Sequence, residues 1–175
     1  GLPGKKICNL NWEELQLVNI SHLANSACHP FVGLMSLEDF LCRYSHKTKI
    51  VFEIKRITDD FSSNCSQAVS QIINIINSTT LPECRSSYYI SSFSSEILAY
   101  AHNLDAQFQY VFNINKIDSS LDISQVYKRL PFLTGICLKK NILSQEACNL
   151  AKEFNLMISS YVCNDEIDLN NFLHC

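Results

Sequence analysis

Phe108-Gln109-Tyr110-Val111-Phe112-Asn113-Ile114, then Ile123-Ser124-Gln125-Val126-Tyr127-Lys128-Arg129-Leu130, then Leu133-Thr134-Gly135-Ile136-Cys137-Leu138: the fold turns on how these three runs alternate. The first and third are short, apolar, and rich in β-branched and aromatic residues, which predicts strands over 108–114 and 133–138. The run between them spaces its apolar positions for a short helix over 123–130, ended by Pro131. Downstream, Ser144 caps a predicted helix over 145–154, a strand follows over 156–162, and Glu166 looks like the start of another helix. Upstream, the same alternation gives a strand over 87–92 and a helix over 95–103 capped by Ser94, with Glu96 in its first turn. Before that, Ala68, Val69, Ile72, Ile73 and Ile76 recur at helical spacing over 65–77, and a strand is predicted over 49–55.

Strands that are near-continuously apolar, each followed by a helix, argue for parallel pairing through right-handed crossovers, with the strands covered on both faces. About five strand–helix units are counted where a closed barrel needs eight. The expected fold class is therefore α/β of the (β/α)8 TIM-barrel type, incomplete. An open doubly wound sheet fits the alternation equally well. Four glycines and no Gly-x-Gly-x-x-Gly make a dinucleotide or P-loop site a poor fit. Residues 1–48 read as a loop and helical segment, with Asn11/Glu14 and Ser36/Asp39 as helix-start signatures, and 49–175 as the alternating units of one domain.

With 175 residues, 47% of them hydrophobic, the chain is short of the roughly 250 residues of a complete barrel. A net charge of −3 and the absence of a basic block give no electrostatic case for nucleic acid. No apolar run approaches the roughly 20 residues of a transmembrane helix. The chain opens Gly1-Leu2-Pro3-Gly4-Lys5-Lys6, without initiator Met or signal-peptide core, so processing or truncation is expected to have removed what came first. The nine cysteines are scattered, odd in number, and form no Cys-x-x-Cys pair; they read as reduced, packed thiols of a cytoplasmic protein. The glycosylation-type triplets at Asn19, Asn64 and Asn77 are what chance supplies in a chain this rich in Asn and Ser.

Val51-Phe52-Glu53-Ile54-Lys55 is the segment that could carry chemistry. Alternation puts Val51, Glu53 and Lys55 on one face and Phe52 and Ile54 on the other. If Phe52 and Ile54 pack on helices, Glu53 and Lys55 face the opposite side near the strand's C-terminal end, which in a barrel is the mouth. A carboxylate there is costly to desolvate unless it is paired or bound to a cation. The plainer reading is a Glu–Lys pair frayed into solvent at a strand end.

Several segments, taken in order, resemble the glycerophosphodiester phosphodiesterase family. Met35-Ser36-Leu37-Glu38-Asp39-Phe40-Leu41 precedes Phe52-Glu53-Ile54-Lys55, where that family has a helix start and then a strand ending Glu-Ile-Lys. Next come Ile90-Ser91-Ser92-Phe93 with the helix start Ser94-Ser95-Glu96, and later Tyr161-Val162-Cys163-Asn164-Asp165, where the family's strand usually begins with Trp. The resemblance covers essentially the whole chain and implies roughly the third to seventh strand–helix units of the barrel, with the first and last strands absent. It implies a metal-dependent phosphodiesterase of lipid metabolism acting on a small-molecule phosphodiester. Glu53 would be a ligand of Mg²⁺ or Ca²⁺, and Lys55 a catalytic and substrate-binding charge beside the phosphate. Tyr161 would bind the substrate's apolar side.

The family's catalytic histidines and two further acidic ligands belong to segments upstream of Gly1. His22, His29, His46, His102 and His174 do not stand in matching contexts and read as surface or loop histidines. One carboxylate makes a poor divalent-metal site, so the isolated chain is expected to be inactive or nearly so. Ser92 reads as core or turn chemistry, and Asn164 with Asp165 as a loop and helix-cap pair. Two other readings stay open: a degenerate barrel serving as a binding or scaffold module, and a Schiff-base barrel with Lys55 as nucleophile.

Overall fold

The structure, a computed structural model, describes residues 9–20, 33–56, 63–116, 123–166, 170 and 172. The chain divides into two compact units, residues 1–44 and 45–175.

In the first unit, α1 (Trp12–Gln16) opens on a complete capping box. The Asn11 side chain accepts from the Glu14 amide at 2.8 Å, and the Glu14 carboxylate accepts from the Asn11 amide at 3.1 Å. Helix α2 (Leu37–Tyr44) starts where Ser36 Oγ accepts from the Asp39 amide at 3.0 Å, and Phe40 meets Tyr44, one turn later, with the rings tilted.

The second unit carries one parallel sheet of five strands: β1 (Ile50–Glu53), β2 (Tyr88–Ser92), β3 (Gln109–Ile114), β4 (Gly135–Lys139) and β5 (Met157–Tyr161). Between them run α3 (Ser63–Thr79), α4 (Ser95–Leu104), α5 (Ile123–Arg129) and α6 (Gln145–Glu153), with a 3₁₀ turn at Pro82–Ser87 and another at Lys140–Ile142. Every predicted strand and crossover helix is present, with no end moved by more than two residues. The predicted helix beginning at Glu166 runs into residues outside those described.

The strand order is β1-β2-β3-β4-β5 with no reversal. This settles the alternative left open by periodicity, because a doubly wound sheet reverses its order partway and so puts helices on both faces. Here each crossover steps to the next neighbour, so one face takes the helices and the other does not. Helix α4 packs on β2 and β3, and α6 on β5. The core lies in that layer: Tyr88, Ile90, Tyr110, Ile136 and Leu138 from the sheet, and Val69, Ile73, Ile76, Ile97, Leu98 and Ala151 from the helices, are all essentially inaccessible. Each large aliphatic side chain so buried contributes about 1.5–3 kcal/mol.

The opposite face is open among the described residues, which corrects the expectation of strands covered on both sides. Val51 is 63% and Met157 42% exposed there. The apolar character that suggested double coverage is that of a barrel interior, filled in a closed barrel by side chains from facing strands. No helix among the described residues is long and apolar enough to cross a membrane.

The N-terminal ends of the strands are tied by a polar cluster. Asp105, just before β3, accepts from Asn77 Nδ2 at 3.0 Å and from Arg85 Nη1 at 3.4 Å. Its other oxygen takes the Gln107 amide at 2.9 Å, and Tyr110 Oη donates to its carbonyl. Burial, with the Asp105 charge adding to it, pushes the Tyr110 hydroxyl's pKa up. Asn77 therefore sits inside a packed cluster, as a glycosylated side chain could not.

Candidate functional site

The strand pleat sends alternate residues of β1–β5 to the open face, where they line a cavity of ≈ 850 Å³. One row runs in register across all five strands: Glu53, Ser91, Val111, Gly135 and Met157. Above it lie Asn113, Cys137 and Ser159, also in register, and then Tyr161 opposite Lys139. Gly135 has a steric reason to lack a side chain. A Cβ there would lie 2.9 Å from the Met157 carbonyl oxygen and 3.2 Å from Met157 Cε.

Glu53 ends β1 and Lys55 follows it by two residues; both line this cavity, with Lys55 Nζ 3.9 Å from Glu53 Oε1. Ile54, between them, is buried, and its amide donates to the Ser91 carbonyl at 2.8 Å, so the strand's alternation continues past its assigned end. The frayed-pair reading is right about exposure, since the Lys55 side chain is 80% and that of Glu53 39% accessible. It is incomplete about place, because both project into a walled cavity. Lys49 lines the same wall from the start of the strand. The charged residues among the described cavity lining are thus Lys49, Glu53 and Lys55, on β1 or directly beside it, with a net charge of +1.

The exposure of Lys55 argues against the Schiff-base reading, which needs an amine desolvated in a dry pocket. Cys137 faces the cavity. Its thiol pKa is raised, chiefly by burial, with the charge of Glu53 adding to the effect. The six described cysteines are free thiols.

Tyr161 lines the cavity, meets Phe93 edge to face at 5.8 Å, and donates to the Ile114 carbonyl at 3.3 Å. It is both a packed aromatic and a cavity wall. Burial raises its hydroxyl pKa, with Cys137 and Glu53 adding to the effect. Ser92 is the turn residue expected: its hydroxyl donates to the Ile54 carbonyl at 2.7 Å and accepts from the Ser94 amide at 3.1 Å, locking the end of β1 to the turn after β2.

The histidines need one correction. His102 is not a loop residue but a half-buried one in the last turn of α4, where it stacks on Phe132 at 4.1 Å and meets Tyr110 edge-on. His46 is exposed, and His22, His29 and His174 lie outside the described residues. Among the described residues, no three His, Cys, Asp or Glu side chains cluster as metal ligands would. One carboxylate, with the Lys55 ammonium 3.9 Å away, does not satisfy a cation that takes six or more oxygens, so these residues do not by themselves fit a resident Mg²⁺ or Ca²⁺.

Two cavity residues were invisible as site candidates in the sequence. Ser91 is 3% and Asn113 7% exposed, and both line the cavity floor. Asn113 carried no motif, and Ser91 stood within Ile90-Ser91-Ser92-Phe93 without a role assigned to it. Only the register of β2 on β3 brings them together.

No protein-family model matches the chain, and no curated protein matches it in sequence. Solved structures do. A glycerophosphodiester phosphodiesterase from Parabacteroides distasonis superposes with a TM-score of 0.75 at 15% identity, covering 99% of this chain and 66% of that one. One from Agrobacterium tumefaciens gives 0.57 at 12%, covering 81% and 55%. An Oleispira antarctica phosphodiesterase in complex with the product sn-glycerol-3-phosphate gives 0.55 at 14%, covering 62% and 42%. The chain spans less than two thirds of the length of each. In fold, the chain is similar to a five-strand portion of the α/β barrel of these structures.

Proposed function

We propose that the cavity mouth is a phosphodiester-binding site, and that the chain is the corresponding portion, roughly the third to seventh units, of a glycerophosphodiester hydrolase of lipid metabolism. The observation that carries this reading is the placement of Glu53 and Lys55 together on the open face, at the C-terminal end of β1. That end is where barrels build their sites.

Lys55 supplies a positive point charge for a phosphate oxygen, and Lys49 extends the same sign along the wall. The exposed pairing of Lys55 with Glu53 at 3.9 Å is worth at most about 1 kcal/mol, so an incoming phosphate rearranges it at little cost. In a complete barrel Glu53 would be one carboxylate ligand of Mg²⁺ or Ca²⁺, and the cation would polarise the phosphoryl group; the remaining ligands would come from outside the described residues. Tyr161 and Phe93 offer the substrate an aromatic wall.

No described histidine lines the cavity, and general acid–base catalysis typically contributes 10²–10⁴-fold. The chain alone is accordingly a binder with little or no turnover. That same observation favours a second reading, a barrel retained as a binding module without catalysis in any context.

Titration of the chain with sn-glycerol 3-phosphate, followed by NMR, tests the site. Saturable shifts around Lys55, weakened at least tenfold in Lys55→Met, are expected; equal binding by that variant would remove the phosphate assignment. Hydrolysis of a glycerophosphodiester separates the two readings. In a complete barrel containing this chain, Glu53→Gln should abolish metal-dependent turnover, whereas the binding-module reading predicts no turnover to abolish.

A further inference from the structure

Strand β1 is an edge. Among the described residues it pairs with β2 and with no strand on its other side. Of the sheet's two edges it is the charged one, since β5 runs Met157-Ile158-Ser159-Ser160-Tyr161. The ladder fixes where its backbone points. The Ile54 N–H donates to the Ser91 carbonyl at 2.8 Å, and successive residues of a strand turn their N–H and C=O groups to opposite sides. Ile50, Phe52 and Ile54 therefore bond toward β2, while Lys49, Val51 and Glu53 present their backbone groups outward. The side chains of those same three residues lie on the open face, and all three residues are exposed.

An outward row of backbone donors and acceptors is a template for another strand, and the charges select which one. A second copy in parallel register would set Lys49 against Lys49 and Glu53 against Glu53. Antiparallel pairing centred on Val51 does the reverse: Val51 faces its own counterpart, and Lys49 of each copy faces Glu53 of the other. Residues directly opposite one another project from the same face with Cβ atoms about 4.5–5.5 Å apart, so both Lys49–Glu53 pairs close and the two Val51 side chains cover each other. The parity of the backbone agrees. Because 49, 51 and 53 are the outward residues, each opposite pair is of the kind that exchanges both N–H···O bonds. Residues 45–48 form the turn leading into the strand and end the ladder at Lys49. Such a contact is isologous and closes on itself, whereas β1 against β5 of the next copy is open-ended and leaves both charges unmatched.

We infer that β1 is a self-pairing edge, through which two copies of this chain join antiparallel about a two-fold axis at Val51. The inference stands apart from the phosphodiester reading. Charges on an edge strand ordinarily discourage pairing; here the spacing of Lys49 and Glu53 makes the same charges select a second copy. A strand of four residues offers an edge short of the roughly 1,200 Å² of a standard interface, so the dimer is weak and depends on concentration.

Sedimentation equilibrium of the full 175-residue chain tests it. A monomer–dimer equilibrium is expected, weakened about tenfold or more in Lys49→Glu, which turns both opposite-charge pairs into like-charge ones. Combining Lys49→Glu with Glu53→Lys should restore it. Val51→Cys reads the register: Cα atoms of such a pair lie about 5.5 Å apart, within disulfide reach. Oxidation should link position 51 of one copy to position 51 of the other, identified by peptide mass spectrometry, whereas Phe52→Cys, on the opposite face, should not link to itself. A monomer at every concentration up to the millimolar range would overturn the inference. So would a dimer indifferent to Lys49→Glu, or one without the link at position 51, since either means that another surface joins the copies. Hydrogen exchange addresses the remaining occupant: protected Val51 and Glu53 amides in a monomer would assign the edge to a segment of the same chain and overturn the inference as well.

Discussion

Replacing Asp105 with Ala should destabilise the chain by about 3 kcal/mol without altering the open face. The carboxylate holds Asn77 Nδ2 at 3.0 Å, Arg85 Nη1 at 3.4 Å and the Gln107 amide at 2.9 Å. Its side chain is 8% accessible and that of Arg85 19%. Removing one partner of a buried pair typically costs roughly 3–5 kcal/mol, because the other charge is left unpaired. Two features bear on where in that range the loss falls. Arg85 keeps a bond to Gln107 Oε1 at 3.3 Å and some access to water, which lowers the cost. Asn77 Oδ1 and Arg85 Nε are already unpartnered, so the cluster has little slack to absorb a further loss. The low end of the range follows, and for a chain of this size it corresponds to a fall in Tm of about 6–12 °C. Urea and thermal unfolding followed by circular dichroism measure it, with sn-glycerol 3-phosphate binding as the second readout. A loss under about 1 kcal/mol would show that the cluster is solvated and the reasoning wrong. Lost binding in a folded variant would contradict the separation between the end of the strands that stabilises and the end that binds.

Gly135→Ala should cost about 1–3 kcal/mol, since its Cβ meets the Met157 carbonyl at 2.9 Å and β4 or β5 has to shift; wild-type stability in that variant would mean the strands have room the structure denies. Glu96 has its pKa held below the ordinary 4.5 chiefly by the Ser94 hydroxyl, which donates to it at 2.6 Å. A depressed folded pKa means a stabilisation that is fully present above the unfolded value and lost as pH falls through the folded one. The difference in stability between wild type and Glu96→Gln should therefore be largest near neutral pH and shrink in acid; a difference unchanged down to about pH 3 would refute the assignment.

The alternation of elements was plain in the sequence because strands and helices here are short, strongly patterned and well punctuated: Pro131 closes one helix, and Ser94 and Ser144 open two others as caps. Strand order was not legible. Nothing in an apolar run states which neighbour it pairs with, so the choice between a singly and a doubly wound sheet waited for the register. The positions of Glu53 and Lys55 followed from parity alone, since the apolar Phe52–Ile54 side of the strand, with Ile54 buried, fixes where the alternate residues point. Ser91 and Asn113 did not follow from anything local. Each is an ordinary polar residue in an apolar strand until the pairing of β2 with β3 puts both on one floor. His102 was misplaced for a similar reason: its stacking partner, Phe132, is thirty residues away.

The central claim is that β1 presents Glu53 and Lys55 to a ligand-accessible cavity while Ile54 faces the helix layer. Peptide-resolved labelling of Glu53→Cys and Ile54→Cys with a methanethiosulfonate reagent, with and without sn-glycerol 3-phosphate, measures it directly. The account predicts fast labelling at position 53 that sn-glycerol 3-phosphate slows, and almost none at position 54 until denaturant is added. Equal labelling at the two positions, or labelling at position 53 that the ligand leaves untouched, would contradict it.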